Sequence, residues 1–119
     1  MKETMDTYKN IWVYAELAGG TPAPVVFELL GKADALKRKS GQAVAAVLAG
    51  HETGDAARRL LAQGADMVIR LDAPVFRQYK PRVYAGALCE LVRKHRPSIL
   101  LFGPRLREGI WPPGFRPSC

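Results

Sequence analysis

Cysteine and histidine are scarce, two of each in 119 residues, and that scarcity removes several classes of protein at once. Cys89 and Cys119 supply neither a disulfide framework nor a metal quartet, and His51 and His95 add no zinc signature. The expected compartment is a reducing cytoplasm. Long apolar runs are missing too. Nowhere do about 18 apolar residues follow one another, as a membrane-spanning helix requires, and Met1 to Asn10 carries Glu3 and Asp6 with no apolar stretch of signal-peptide length. Neither export nor membrane insertion is expected. The net charge of +7 and pI near 9.8 raise the question of a polyanionic partner, but no block of five or six consecutive Lys/Arg residues marks a nucleic-acid arm. Phosphate-cradling motifs are absent as well. Neither a Walker sequence nor a Gly-x-Gly-x-x-Gly follows the first apolar run, where Leu17-Ala18-Gly19-Gly20-Thr21 is short and ends in proline.

What is present is a chain sized for a single domain, 48% hydrophobic, able to bury about 60–70% of its unfolded surface in one core. Apolar runs alternate with helical stripes, the sequence form of a parallel sheet covered by helices on both faces. Ile11 to Glu16 reads as a first strand by its β-branched and aromatic content. Val26, Leu29, Leu30, Ala33 and Leu36 then recur at helical spacing, with Pro24 near the helix start and Lys37-Arg38-Lys39 at a solvated C-terminal end.

Gly41 ends that helix, and Ala43 to Leu48 is apolar without alternation, as a strand buried on both faces should be. Thr53 or Asp55 is placed to cap a helix carrying Ala57, Leu60 and Leu61, and Gly64 to stop it in a left-handed conformation. Met67 to Leu71 gives a third strand. A longer connection with Phe76 and Tyr79 leads to the strongest helical stripe, Tyr84, Ala87, Leu88, Leu91, Val92 and His95, and Pro97 precedes a fourth strand, Ser98 to Phe102. The expected fold is α/β: a three-layer, Rossmann-like parallel sheet of strand order 3-2-1-4, incomplete as a domain.

In such a sheet ligands bind beyond the carboxyl ends of the strands where strand order reverses, here between strands one and four. That places Ala15-Glu16, Ala49-Gly50-His51 and Gly103 in view. The glycines serve turns as readily as ligands, and a lone histidine without an orienting carboxylate is incomplete as a site. No catalytic, cofactor-binding or metal residue is assigned, and no Ser/His/Asp set or paired carboxylate is placed.

As a set, Ile11 to Glu16, Glu28 to Ala33, Val44 to His51, Gly64 to Val68 and Pro97 to Gly103 resemble the N-terminal domain of the electron-transfer flavoprotein α subunit, in that family's order and with its intervals. The resemblance implies a subunit that pairs with a β subunit and whose intact form carries electrons on FAD from dehydrogenases, such as those of fatty acid β-oxidation, to a quinone reductase. It also implies that the flavin is held chiefly by a C-terminal domain, so that this segment supplies β-subunit contacts and binds no FAD of its own. By that resemblance residues 1–103 form the N-terminal α/β domain, an electron-carrier fragment and not an enzyme.

After Gly103 the resemblance stops. The family continues with a short Ala-Thr-containing loop and a Gly-Arg-Asp-Leu-Ala-Pro-Arg motif, where this chain has Pro104 to Phe115 with a Pro112-Pro113-Gly114 breaker. Back-translation from the last base of the Arg107 codon gives shifted triplets ending in GA, GG, AT, TG, CC, CC, GG, TT, CG and CC. With permitted bases in front they read Gly-Arg-Asp-Leu-Ala-Pro-Arg-Val-Ser-Ala, and the single Trp codon at Trp111 followed by Pro112 forces the first Ala. Residues 104–119 are therefore expected to be an irregular, out-of-frame tail. A sheet ending at strand four leaves an edge and apolar surface uncovered, and a fragment of that kind is expected to be aggregation-prone without a partner. Two other readings stand beside this one: a small nucleotide-binding domain of universal-stress type, with a nucleotide at Glu16, Gly50 and Gly103, and a basic nucleic-acid-binding module.

Overall fold

Two strands fix the architecture because both are buried from end to end. The computed structural model describes residues 10–78 and 81–103; residues 104–119, expected to be an out-of-frame tail, and Tyr79 lie outside them. Strand β1, Ile11–Tyr14, and strand β4, Val44–Gly50, are fully buried and pair in parallel with Ile11 opposite Val44 and Tyr14 opposite Val47. Successive side chains point to opposite faces. Ile11, Val13, Val44, Ala46 and Leu48 therefore meet one apolar layer, and Trp12, Tyr14, Ala45, Val47 and Ala49 meet the other.

Helices α1, Pro24–Ser40, and α2, Gly54–Ala62, supply the first layer through Val26, Leu30, Ala33, Ala57 and Leu60. The second layer comes from α3, Pro81–His95, through Tyr84, Ala85, Leu88 and Val92, with Phe76 of a 3₁₀ turn, Pro74–Arg77. Strand β5, Met67–Asp72, flanks β4 on one side, and β6, Ile99–Leu101, flanks β1 on the other, which gives the parallel order β5-β4-β1-β6. This is the order expected from the sequence.

Local chemistry explains the boundaries. Pro24 opens α1, where its missing N–H costs nothing. Gly41 closes it at φ 76°, with its N–H on the Lys37 carbonyl at 2.7 Å. Gly64, at φ 112°, follows α2 as expected. The basic run at the end of α1 is solvated at Arg38, whereas Lys37 reaches Asp66 at 2.8 Å and ties α1 to the start of β5. His95, placed on the buried stripe of α3 by its spacing, is exposed and lies against the buried Trp12 with ring centroids 6.0 Å apart.

Two features depart from the sequence reading. Leu17–Ala18 (β2) and Thr21–Pro22 (β3) form a small antiparallel hairpin closed by Gly19 and Gly20 at φ 62° and 85°. Both positive values suit the tight turn whose twist matches a hairpin. Cys89 on α3 is disulfide-bonded, which a chain with two cysteines and no disulfide framework gave no reason to expect. Residue counting alone does not reveal which side chains come together.

Candidate functional site

The carboxyl ends of β1 and β4 open into a pocket of about 350 Å³. Tyr14 and Glu16 line it from the end of β1 and just beyond, Ala49, Gly50 and His51 from the end of β4 and just beyond, and the Gly19–Gly20 turn, Phe76, Arg77 and Tyr84 close its sides. The Tyr84 hydroxyl donates to the Phe76 carbonyl at 2.6 Å, and the two rings meet edge to face at 5.1 Å. This pair fixes the 3₁₀ turn onto α3. Gly50 is required where it stands: a Cβ there would lie 2.8 Å from the Thr53 methyl and 3.1 Å from Leu17.

A strap of hydrogen bonds holds the loop that presents His51. The Asp72 carboxylate, at the end of β5, accepts the N–H of Glu52, the N–H of Thr53 and the Thr53 hydroxyl, each at 2.9 Å. Arg70 completes it, its Nη2 donating to Asp72 at 2.9 Å and its Nε to the Thr53 hydroxyl at 3.0 Å. These bonds, led by the Thr53 and Glu52 backbone N–H groups, hold the Asp72 carboxyl well below the usual carboxylate range. They also offset the left-handed backbone of Glu52, at φ 57°, a conformation that costs about 1–3 kcal/mol in a non-glycine residue. Thr53 stands at the N-cap of α2 as expected but makes no side-chain cap bond, because its hydroxyl is engaged by Asp72 and Arg70.

Two buried polar atoms at the pocket have no hydrogen-bond partner among the described residues: Glu16 Oε1 and His51 Nδ1. His51 Nε2 lies 3.3 Å from the exposed Glu52 carboxylate. Of the residues singled out in the sequence, Glu16, Ala49, Gly50 and His51 meet at the pocket, while Ala15 is a core residue, 1% exposed. Gly103 abuts Glu16 without lining the pocket, so the cavity opens over β1 and β4 and not at the expected reversal between β1 and β6. The 3₁₀ turn and α3 cap that side, and the hairpin forms its rim. Phe76, Arg77, Tyr84 and the Asp72 strap were missed. Nothing local marks them, because Asp72 and Thr53 are 19 positions apart. Among the described residues no group of three His, Cys, Asp or Glu side chains is placed to hold a metal ion, and no helix is long and apolar enough to cross a membrane.

The profile of the electron transfer flavoprotein domain matches residues 11–113. The chain belongs to the electron transfer flavoprotein domain family. It is 38% identical over 99 residues to the electron transfer flavoprotein subunit alpha of Thermoanaerobacterium thermosaccharolyticum, covering 83% of this chain and 30% of that protein. Protein FixB of Bradyrhizobium diazoefficiens is 36% identical over 106 residues, 87% of this chain and 29% of its own. The acryloyl-CoA reductase electron transfer subunit beta of Anaerotignum propionicum is 32% identical over 99 residues, 83% and 27% respectively. The chain thus spans under a third of the length of each of these relatives. The universal-stress reading is not favoured by these matches.

A flavin dinucleotide, which the family name implies, asks for backbone N–H groups free at a helix N-terminus to receive its diphosphate. Here the N–H groups of Glu52 and Thr53, at the β4–α2 junction, already bind a resident anion, Asp72. The other junction opens on Pro24, which has no N–H, behind a two-glycine hairpin turn. Neither of these two junctions fits the diphosphate of FAD.

Proposed function

We propose that this chain is the leading domain of an electron-transfer flavoprotein α-type subunit and works as a docking platform for a β-type subunit, without catalysis of its own. The observation that carries this reading is the Asp72 strap. It engages the backbone N–H groups at the start of α2, which would otherwise be free to receive an anion. The flavin of the intact protein then belongs to a domain that follows, and the electron donors are dehydrogenases such as those acting on acyl-CoA. A cytoplasmic heterodimer is the working assembly.

The same reading makes residues 104–119 the product of a one-base slip. If the shifted frame starts on the last base of the Gly103 codon, the first two bases of Pro104 and of a CGN codon at Arg105 end triplets that read Ala and Thr with permitted bases in front. Two further triplets lead into the Gly-Arg-Asp-Leu-Ala-Pro-Arg string. Loss of one base from the Gly103 codon therefore accounts for the Ala-Thr loop and the motif together. The family match extends to residue 113, and the codon overlap favours a boundary at Gly103 within it.

Co-expression with an electron-transfer flavoprotein β-type subunit tests the platform role. A colourless complex of the two chains that elutes as a heterodimer is the expected result. Stoichiometric yellow flavin on this chain purified alone, or no association with the β-type subunit under any salt condition, would overturn it.

A further inference from the structure

We infer that the pocket at the ends of β1 and β4 binds a free α-amino acid with an apolar or aromatic side chain, its ammonium group turned inward to Glu16 and His51 and its carboxylate outward to Arg77. The inference does not depend on the docking role proposed above. Its starting point is a pair of polar atoms on residues of one cavity wall, Glu16 Oε1 and His51 Nδ1, each buried and without a hydrogen-bond partner among the described residues. Buried polar groups are as a rule paired, so the free pocket holds two unmet hydrogen-bonding positions. Both ask for a donor. An ionised carboxylate such as that of Glu16 accepts and does not donate. His51 has its Nε2 3.3 Å from the Glu52 carboxylate, which places the ring proton on Nε2 and leaves Nδ1 with a lone pair.

The rest of the lining says what brings those donors. Arg77 lies on the same pocket, exposed and without an ion pair among the described residues. The cavity thus carries one negative and one positive side chain, and a zwitterion matches both where a simple cation or anion matches one. An ammonium group has three N–H donors, enough for a carboxylate oxygen and an imidazole nitrogen together, and a guanidinium takes a carboxylate in two parallel bonds. The terminal torsion of Glu16 is soft, so its carboxylate turns to meet an ammonium group inside the cavity. Tyr14, Phe76 and Tyr84 are buried around the pocket and offer ring surface to an apolar side chain. The volume of about 350 Å³ lies at the small end of the roughly 300–1,000 Å³ found for small-molecule sites. A phosphate ester is a poor match, because the N–H groups that open α2 are already held by Asp72.

Equilibrium dialysis of radiolabelled L-phenylalanine and L-leucine against the present chain, and against its complex with a β-type subunit, tests the site. Saturable, stoichiometric binding of either amino acid is the expected result. Phenethylamine, which lacks the carboxylate, and 3-phenylpropionate, which lacks the ammonium group, are expected to bind about tenfold or more weakly than L-phenylalanine, the loss that goes with one charge-assisted hydrogen bond. Glu16→Gln removes the charge and keeps the shape, and Arg77→Met alters an exposed side chain; each is expected to weaken L-phenylalanine by a similar factor with the circular dichroism spectrum unchanged. The partial ligands then assign the two ends: Glu16→Gln leaves 3-phenylpropionate unaffected, and Arg77→Met leaves phenethylamine unaffected. Absence of saturable binding to both the chain and the complex would overturn the inference. So would binding indifferent to Glu16→Gln or to Arg77→Met, or saturable binding of adenosine with both amino acids excluded. A chain that takes up the amino acid yet forms no heterodimer would remove the docking role alone and leave this site standing.

Discussion

Gly50 and Gly103 show how much a single missing side chain decides at this site. Gly50→Ala drives a Cβ against a Thr53 methyl whose threonine is held in place by Asp72 and Arg70, and a loss of about 1–3 kcal/mol is expected in urea unfolding. Gly103→Ala meets the far end of the Glu16 side chain first, which can swing aside, and its cost is expected to be near the lower end of that range, about 1 kcal/mol. An equal cost for the two would show that the Thr53 strap does not hold its loop rigidly. Tyr84→Phe removes the donor to the Phe76 carbonyl, a 2.6 Å bond in a buried setting, and about 1–3 kcal/mol of stability is expected to go with it. Residues that act on their own backbone were legible in the sequence: Pro24 starts a helix and Gly41 ends one, whatever surrounds them. Residues that act through a distant partner were not. Thr53 has the same identity whether it caps α2 or, as observed, serves Asp72 and Arg70.

The elements were legible to the extent that their periodicity ran long enough. The unbroken apolar run of β4 and the stripes of α1 and α3 carried the layer order, because burial on two faces and burial on one leave different patterns. The β2–β3 hairpin left none, since two strands of two residues hold no period; its Gly-Gly turn was the one available signal. Between elements, two carboxylates tie the sheet to its helices and loops. Asp72 holds the β4–α2 loop, and Asp66 accepts from Lys37 of α1 and from the Val44 N–H of β4, with Lys37 the main cause of its lowered pKa. Both folded pKa values lie below the unfolded value of about 3.9, so the stabilisation is complete above that pH and is lost as pH falls through the folded values. Asp72→Asn should therefore lower the urea midpoint at pH 7 and flatten its decline toward pH 3. A variant that kept the full acid decline would show that the strap contributes nothing to it. In the first apolar layer, Leu60→Ala opens a fully buried position of α2 and is expected to cost about 2–5 kcal/mol.

At the scale of the molecule, the two faces of the sheet are unequally covered. Among the described residues two helices pack on one face, whereas α3 and the 3₁₀ turn cover the other, where Ile69, Leu71, Leu100 and Phe102 stay partly exposed. Ile99 on the outer strand β6 is 37% exposed. Apolar surface of this kind at a sheet edge marks a place where more protein belongs. The isolated chain is expected to bind a hydrophobic dye and to self-associate as its concentration rises, and both signals should fall when a β-type subunit is added; a monodisperse chain without dye binding would mean that these residues need no cover. The sequence could show that β6 is an edge, but the depth of its exposure depends on how far α3 reaches across the sheet, which no local pattern records. The nucleotide sequence of the locus across the Gly103 codon is the most direct measurement of all. One base more than the present reading, followed by an open frame that spells Ala-Thr-x-x-Gly-Arg-Asp-Leu-Ala-Pro-Arg and continues into a flavin-binding domain, is the predicted result. Downstream bases that encode no flavoprotein sequence in any of the three frames would contradict it.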